Sequence, residues 1–378
     1  MATTRPARLD PGLLDAAYAV VAEGVASGAL PSGLLAVATR AELVRLEAVN
    51  PGPVMADSIF LLASITKPIF ATGLMRLVER GRILLNTSVA HLLPAFAQAG
   101  KGDVRLWHLL SHTSGLDEAW VLIRAGPAPR SAERVLELAC AAPLQFRPGS
   151  RYAYCNPTFT VMAELIRRLD GRDHATFLRQ EVLDPLGMRE TSYEPPLSPR
   201  VAPVHDAPWG TEPATRAAWI AQHSPAGGLW STAADLVTFG QMLLGGGQRG
   251  GYRVLAPATL GAMTQLQTAG IPMSSPLGEV ASAYGLGFSK AVMHGDNGPS
   301  QELRQTTGFG HGGATGTYLL VEPELDLVIV FLTNRWGIDV PHQKQVFNAA
   351  IAGASVAPSA ALAEGTHAPR HVRASGPG

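Results

Sequence analysis

The chain has 378 residues, 46% of them hydrophobic and 6% aromatic, enough to bury a large core in about two structural units. Thirty Lys and Arg balance thirty Asp and Glu, so no overall field draws the chain to nucleic acid or to an acidic membrane surface, and a small, near-neutral molecule is the expected partner. Cys140 and Cys155 are too few for a disulfide framework, and no paired-cysteine or H-E-x-x-H spacing calls for zinc.

The opening "MATTRPARLDPGLLDAAYAV" places arginines and an aspartate where a secretory signal needs an unbroken apolar run, which predicts no signal peptide and a cytoplasmic location. The apolar run "LVIVFLT" is too short to cross a bilayer. From Asp10 to Ala29 the residues Leu13, Leu14, Tyr18, Val21 and Val25 recur at helical spacing behind Pro11, predicting an amphipathic helix. "LLAVATR" and "ELVRLEAV" read as strands, and "IFLLAS" leads into a second helix whose face is Ile65, Ile69, Leu74, Leu77 and Val78 and whose end is Gly81.

Between Arg82 and Pro225 the pattern is short helices and Pro-containing loops, with "RSAERVLELACAA" and "PTFTVMAELIRRLDG" the clearest helices. Pro157 predicts an extended Asn156. "STAADLVTFGQMLLGGG" is a further helix, with Thr232 and Asp235 spaced as a capping box. "YGLGFSKAVM", "GTYLLVEP" and "LDLVIVFLTN" predict consecutive antiparallel strands, and "VPHQKQVFNAAIAGA" a closing helix. Beyond about Gly353 the composition predicts a disordered tail.

These elements predict an α/β (α+β) fold: an antiparallel sheet flanked by N- and C-terminal helices, with a mostly helical inserted domain. The expected units are a discontinuous sheet domain (1–81 and 226–352), a helical insertion (82–225) and a tail (353–378). Composition leaves the oligomeric state open.

Three motifs bear on chemistry. Gly308, Gly310 and Gly313 are spaced as G-x-G-x-x-G, but "ATGTYLLVEPELDLVIVFL" behind them reads as strand, turn, strand, so no helix N-terminus faces a pyrophosphate. His311-Gly312-Gly313 matches the oxyanion loop of α/β-hydrolases, yet the required G-x-S-x-G elbow does not occur. The third motif is Ser64-x-x-Lys67 in the apolar setting "FLLASITKPIFATG". Four lysines are present and only Lys67 has a serine three residues before it, on the same face of the first helical turn. A lysine in a poorly solvated pocket has a lowered pKa and can take the proton that makes a serine hydroxyl nucleophilic. The plainer alternative is a snorkelling lysine beside a capping serine.

"SITK", "LLSHTSGL", "RPGSRYAYCN", "AGGLWSTAADL" and "GHGGATG", in that order from about Asp10 to Ala350, resemble the serine β-lactamase and penicillin-binding-protein-like hydrolases. The similarity is greatest to class C β-lactamases and the esterases that share their fold. The resemblance implies Ser64 as acylated nucleophile, Lys67 and Tyr154 as its proton-transfer partners, and Asn156 as a hydrogen-bond partner of Lys67 or of the substrate's acyl side. Which of Lys67 and Tyr154 is the base stays open, and Tyr152 is a decoy two residues away. The resemblance further implies that His311 and Gly313 border the substrate and that the N–H groups of Ser64 and Ala314 form the oxyanion hole. His112 and Ser114 are expected to bond backbone in a turn closed by Gly115, Trp230 to line the site, and Cys155 to be a buried thiol. His311 in place of a lysine favours esters over β-lactams, because a neutral imidazole holds a substrate carboxylate less firmly. The expected activity is acyl-enzyme hydrolysis of small esters or amides, without metal or cofactor. The alternatives are β-lactamase or D-amino-acid peptidase activity, or a silent binding protein of the same fold.

Overall fold

The computed structural model describes residues 8–9, 11–49, 54–275, 278–290, 294–295, 298–299, 303, 307–337 and 341–355. Its principal helices are α1 (Pro11–Ala26), α2 (Thr66–Glu79), α3 (Glu118–Ala125), α4 (Pro157–Asp170), α5 (Ala233–Leu244) and α6 (Pro341–Ala352). The strands of the main sheet are β1 (Gly33–Ala38), β2 (Leu43–Val49), β3 (Ser289–Lys290), β4 (Phe309–Gly312), β5 (Tyr318–Glu322) and β6 (Leu327–Leu332). They run antiparallel in the order β3-β4-β5-β6-β1-β2, so β6 from the end of the chain pairs with β1 from its start, Phe331 opposite Leu35.

Alternation along these strands sorts their side chains between two cores. Leu35, Val37, Ile329 and Phe331 face Tyr18 and Val21 of α1 and Val346 and Phe347 of α6. Leu34, Ala36, Val328 and Val330 face the opposite way, against α5 and the large core that includes Leu109, Phe159 and Leu165 of the middle segment. With both faces covered, β1 and β6 are buried throughout, which is why they read as continuous apolar runs. Among the described residues, no strand occurs between the short pair partners Phe60–Leu61 and Trp230–Ser231. No helix of the described residues is long and apolar enough to cross a membrane.

Three local readings need correction. "YGLGFSKAVM" is not one strand: Gly287 takes φ +83°, the chain folds back so that Gly285 N–H donates to Phe288 O at 2.8 Å, and only Ser289–Lys290 joins the sheet, while residues 291–293 lie outside the described residues. The capping box is one-sided. Thr232 Oγ1 accepts from Asp235 N–H at 3.2 Å, but Asp235 Oδ2 turns away to accept from Glu190 N–H at 2.9 Å and Thr191 Oγ1 at 2.8 Å, two donors brought to it by the fold that offer its carboxylate charge-assisted bonds. Asn156 is helical (φ −70°, ψ −39°), since its carbonyl already accepts the first-turn bond from Phe159 N–H and this outweighs the bias of Pro157. Residues 356–378, most of the predicted tail, lie outside the described residues.

The far end of α2 is fixed by charge. Glu181 accepts from Arg76 of α2, from Arg80 just past its end and from Arg172, at 2.9, 2.5 and 2.9 Å. Burial opposes ionisation of Glu181, but the three arginines outweigh it and hold its carboxyl at about 2, against 4.5 ordinarily. A carboxylate with a depressed folded pKa contributes stability above its unfolded pKa and loses it as pH falls toward the folded one. Urea unfolding of wild type and Glu181→Gln should therefore differ most above about pH 5, with the gap narrowing steadily as the pH drops from there toward about 3.

Candidate active site

The site begins with a strained turn. Ala63–Ile65 form a single 3-10 turn ahead of α2, and Ala63 sits at φ +47°, a left-handed conformation that costs a non-glycine residue roughly 1 kcal/mol or more. The surrounding structure holds it there. Leu62 N–H donates to Leu229 O at 2.8 Å, while Thr315 Oγ1 and Thr317 Oγ1 donate to Leu61 O and Leu62 O at 3.0 and 3.1 Å. Gly313 permits the last approach: a Cβ there would lie 2.3 Å from Leu62 O and 2.2 Å from Thr317 Oγ1. Gly313 thus acts on the serine turn through packing against it.

Lys67, the second residue of α2, has no exposed surface. Its Nζ lies 3.0 Å from Ser64 Oγ, 2.7 Å from Asn156 Oδ1 and 2.8 Å from Ala226 O. Burial lowers its pKa to about 7, and the opposing pull of Glu118 limits the fall. At neutral pH the amine and the ammonium are both populated. The three contacts suit either form, because a neutral amine donates to the two carbonyl oxygens and accepts the serine proton.

Tyr154 stands beside this pair, its ring centroid 4.7 Å from Lys67 Nζ. Burial raises the pKa of its phenol, a hydrogen bond with Ser64 pulls the other way, and the net shift is upward, so the group is a protonated phenol at neutral pH. Tyr152 donates its backbone N–H to Pro272 O, and together with Tyr154 and Met273 it lines a second cavity. The "LLSHTSGL" segment bonds backbone as expected. His112 Nδ1 accepts from Cys155 N–H at 3.0 Å, His112 O accepts from Ala153 N–H at 2.9 Å, Ser114 Oγ accepts from Leu116 N–H at 3.2 Å, and Gly115 takes φ +78°. These bonds bracket Tyr154 and set its position. Cys155 is a buried thiol.

His311 is placed differently from the expectation of a ring facing substrate. Its Nδ1 is 2.7 Å from Gly312 O and its Nε2 is 2.9 Å from Tyr284 Oη. A carbonyl only accepts, so Nδ1 carries the proton and Tyr284 donates to Nε2. Burial, reinforced by the charge of Lys67, lowers the pKa to about 3 and keeps the ring neutral. Both nitrogens are spent inside the protein, and the ring supplies no cation. Trp230 also departs from expectation: it packs with Ile59, Leu61 and Trp209, drawn into that cluster by its apolar area, and the tryptophans on the cavity wall are Trp219 and Trp336.

A cavity of about 300 Å³ includes Ser64, Asn156 and Ala314 in its wall, with Leu122, Val135 and Trp219 giving it an apolar side. Neither Ser64 N–H nor Ala314 N–H donates to a backbone carbonyl of another element among the described residues. The sequence reading missed Glu118, which also lines this cavity and accepts from Asn156 Nδ2 at 2.8 Å. Its only signal was position: Asp117 caps α3 through Trp120 N–H, so Glu118 reads as an ordinary first-turn acid.

Residues 18–354 match the family model described as Beta-lactamase, and the chain belongs to that family. It is 32% identical over 293 residues to Penicillin-binding protein 4 of Amycolatopsis lactamdurans, covering 74% of this chain and 73% of that one. It is 34% identical over 172 residues to esterase EstB of Burkholderia gladioli, covering 41% and 43%. Among solved structures it matches EstCE1, a hydrolase with promiscuous acyltransferase activity, with a TM-score of 0.75 and 23% identity, covering 90% of this chain and 99% of that one. That likeness establishes the β-lactamase/transpeptidase-like fold.

Two measurements follow from the geometry. Gly313→Ala should destabilise the protein by about 1–3 kcal/mol in urea unfolding and slow reaction at Ser64, because the added Cβ displaces backbone. Nitrogen NMR of the imidazoles should show His311 as the Nδ1–H tautomer, with no titration above about pH 5.

Proposed function

We propose that the protein is a serine hydrolase that transfers the acyl group of small carboxylic esters to Ser64 and then to water. The observation that carries this reading is the fully buried Lys67 amine 3.0 Å from Ser64 Oγ, with its pKa brought to about 7. Lys67 is the base, since near neutral pH it is substantially unprotonated while Tyr154 keeps its proton. Ser64 Oγ attacks the ester carbonyl as its proton passes to Nζ. The N–H groups of Ser64 and Ala314 stabilise the oxyanion. When the carbonyl–oxygen bond to the leaving group breaks, the departing alkoxide takes the Tyr154 proton, and Lys67 returns its own to the phenolate, leaving a neutral amine for the second half. Water, or an acceptor alcohol or amine, gives a proton to Lys67 as it bonds the acyl carbon, and when the bond from that carbon to Ser64 Oγ breaks, Lys67 returns the proton to Oγ.

The neutral, internally bonded His311 supports esters over β-lactams, for it offers no cation to a β-lactam carboxylate. EstB and EstCE1, named as an esterase and as a hydrolase with acyltransferase activity, agree with that reading. The similarity to a penicillin-binding protein over 74% of the chain favours β-lactam or D-amino-acid peptide turnover as the second reading.

Intact-mass spectrometry should show an acyl adduct on wild type with short-chain p-nitrophenyl esters and none on Ser64→Ala, and turnover should fall by about 10³-fold or more in the variant. An adduct that persists in the alanine variant overturns the nucleophile, and faster opening of a chromogenic cephalosporin than of the esters overturns the substrate class. Acylation depends on neutral Lys67, so its rate should fall as pH drops through about 7.

A further inference from the structure

Glu118 takes no part in the proton transfers above, yet it occupies the cavity wall and makes a direct contact with the one side chain that links it to Lys67. The amide of Asn156 is shared between them. Its Oδ1 lies 2.7 Å from Lys67 Nζ and its Nδ2 lies 2.8 Å from Glu118 Oε1. Reversing the amide would turn an NH2 toward the lysine and an oxygen toward the carboxylate, losing both bonds and opposing like charges or dipoles. A carboxylate accepts only, so it permits a single orientation. Asp117 caps α3 through Trp120 N–H and places Glu118 in its first turn.

The charge on Glu118 matters because the other groups that face Lys67 are neutral. From β4, His311 is unprotonated; from the turn before α3, His112 is held well below its ordinary value by burial and by Lys67 itself. Tyr154 and Cys155, from the segment leading into α4, are pushed upward by burial and keep their protons. Ser64, Asn156 and Ala226 O contribute dipoles alone. Among the described residues, Glu118 is the carboxylate whose charge reaches Lys67.

We propose that Glu118 is a positioning residue for acylation: it fixes the orientation of the Asn156 amide and supplies the negative charge opposite Lys67. The inference rests on the reading of Lys67 as the base of a Ser64 acyl transfer. Without the charge the ammonium is less stable, so the lysine loses its proton at lower pH; without any acceptor the amide is free to turn and the lysine loses its alignment with Ser64.

The test follows acylation of the full chain by p-nitrophenyl acetate across about pH 5 to 9, with intact mass confirming the adduct on Ser64. In Glu118→Gln the acidic limb should move down by about one pH unit. In Glu118→Ala the plateau should also fall by about tenfold or more through kcat rather than KM. Glu118→Asp, which keeps the charge on a shorter arm, should restore the limb to its wild-type position with a reduced plateau, and this variant serves if the other two fail to fold. A limb that stays in place in Glu118→Gln, a limb that moves in Glu118→Asp, or a loss confined to KM overturns the inference and makes Glu118 a substrate contact or a structural residue. Failure of the underlying reading looks different: wild type itself then carries no adduct on Ser64.

Discussion

A lysine with no exposed surface is tolerable only when its nitrogen is fully engaged, and the elements around Lys67 converge to engage it. Ser64 comes from the turn before α2, Asn156 from the start of α4, and Ala226 from the segment that runs into the short strand at Trp230. These positions are far apart in sequence. The pairing of Phe60–Leu61 with Trp230–Ser231 and the bond from Leu229 N–H to Thr66 Oγ1 bring the last of them into place. The same desolvation that makes the lysine expensive lowers its pKa to where it can act as a base, so one constraint serves both packing and chemistry.

The serine turn shows a comparable economy of means. Its left-handed alanine persists because the two carbonyls just before it, those of Leu61 and Leu62, are held by threonines of the β4–β5 connection, and that connection approaches closely only because residue 313 has no side chain. Behind it, His112, Tyr152, Tyr154, Tyr284 and His311 stack into a buried cluster of rings. Burial keeps these rings uncharged. The wall of the 300 Å³ cavity beside Ser64 carries one acidic and one basic side chain, Glu118 and Arg130.

The long elements were readable from the chain because their periodicity matches what they bury. Helix α1, strands β1, β5 and β6, and helices α4 and α5 appear where alternation or helical spacing placed them, since a side chain's exposure repeats with the backbone that carries it. Failures fell where a local preference met a stronger distant partner. Pro157 disfavours a helical Asn156, but the first-turn bond of α4 and the contacts to Lys67 and Glu118 outweigh that bias. Asp235 was spaced for a capping box and instead serves Glu190 and Thr191. The run from Tyr284 to Met293 looked like a strand, and glycine at 287 turned it back.

By itself the sequence determined the fold class and the Ser64–Lys67 pair, because residues three apart in successive helical turns share a face whatever surrounds them. It also determined, through ordered motifs, that Tyr154 and Asn156 belong with them. Only the tertiary structure decided the states of these groups. Whether an imidazole at 311 is charged, which way the amide of Asn156 points, and that Glu118 stands behind it depend on desolvation and on hydrogen-bond partners dozens of residues away. Such partners leave no periodic trace along the chain, since burial of a polar group is set by what folds over it rather than by its neighbours in sequence.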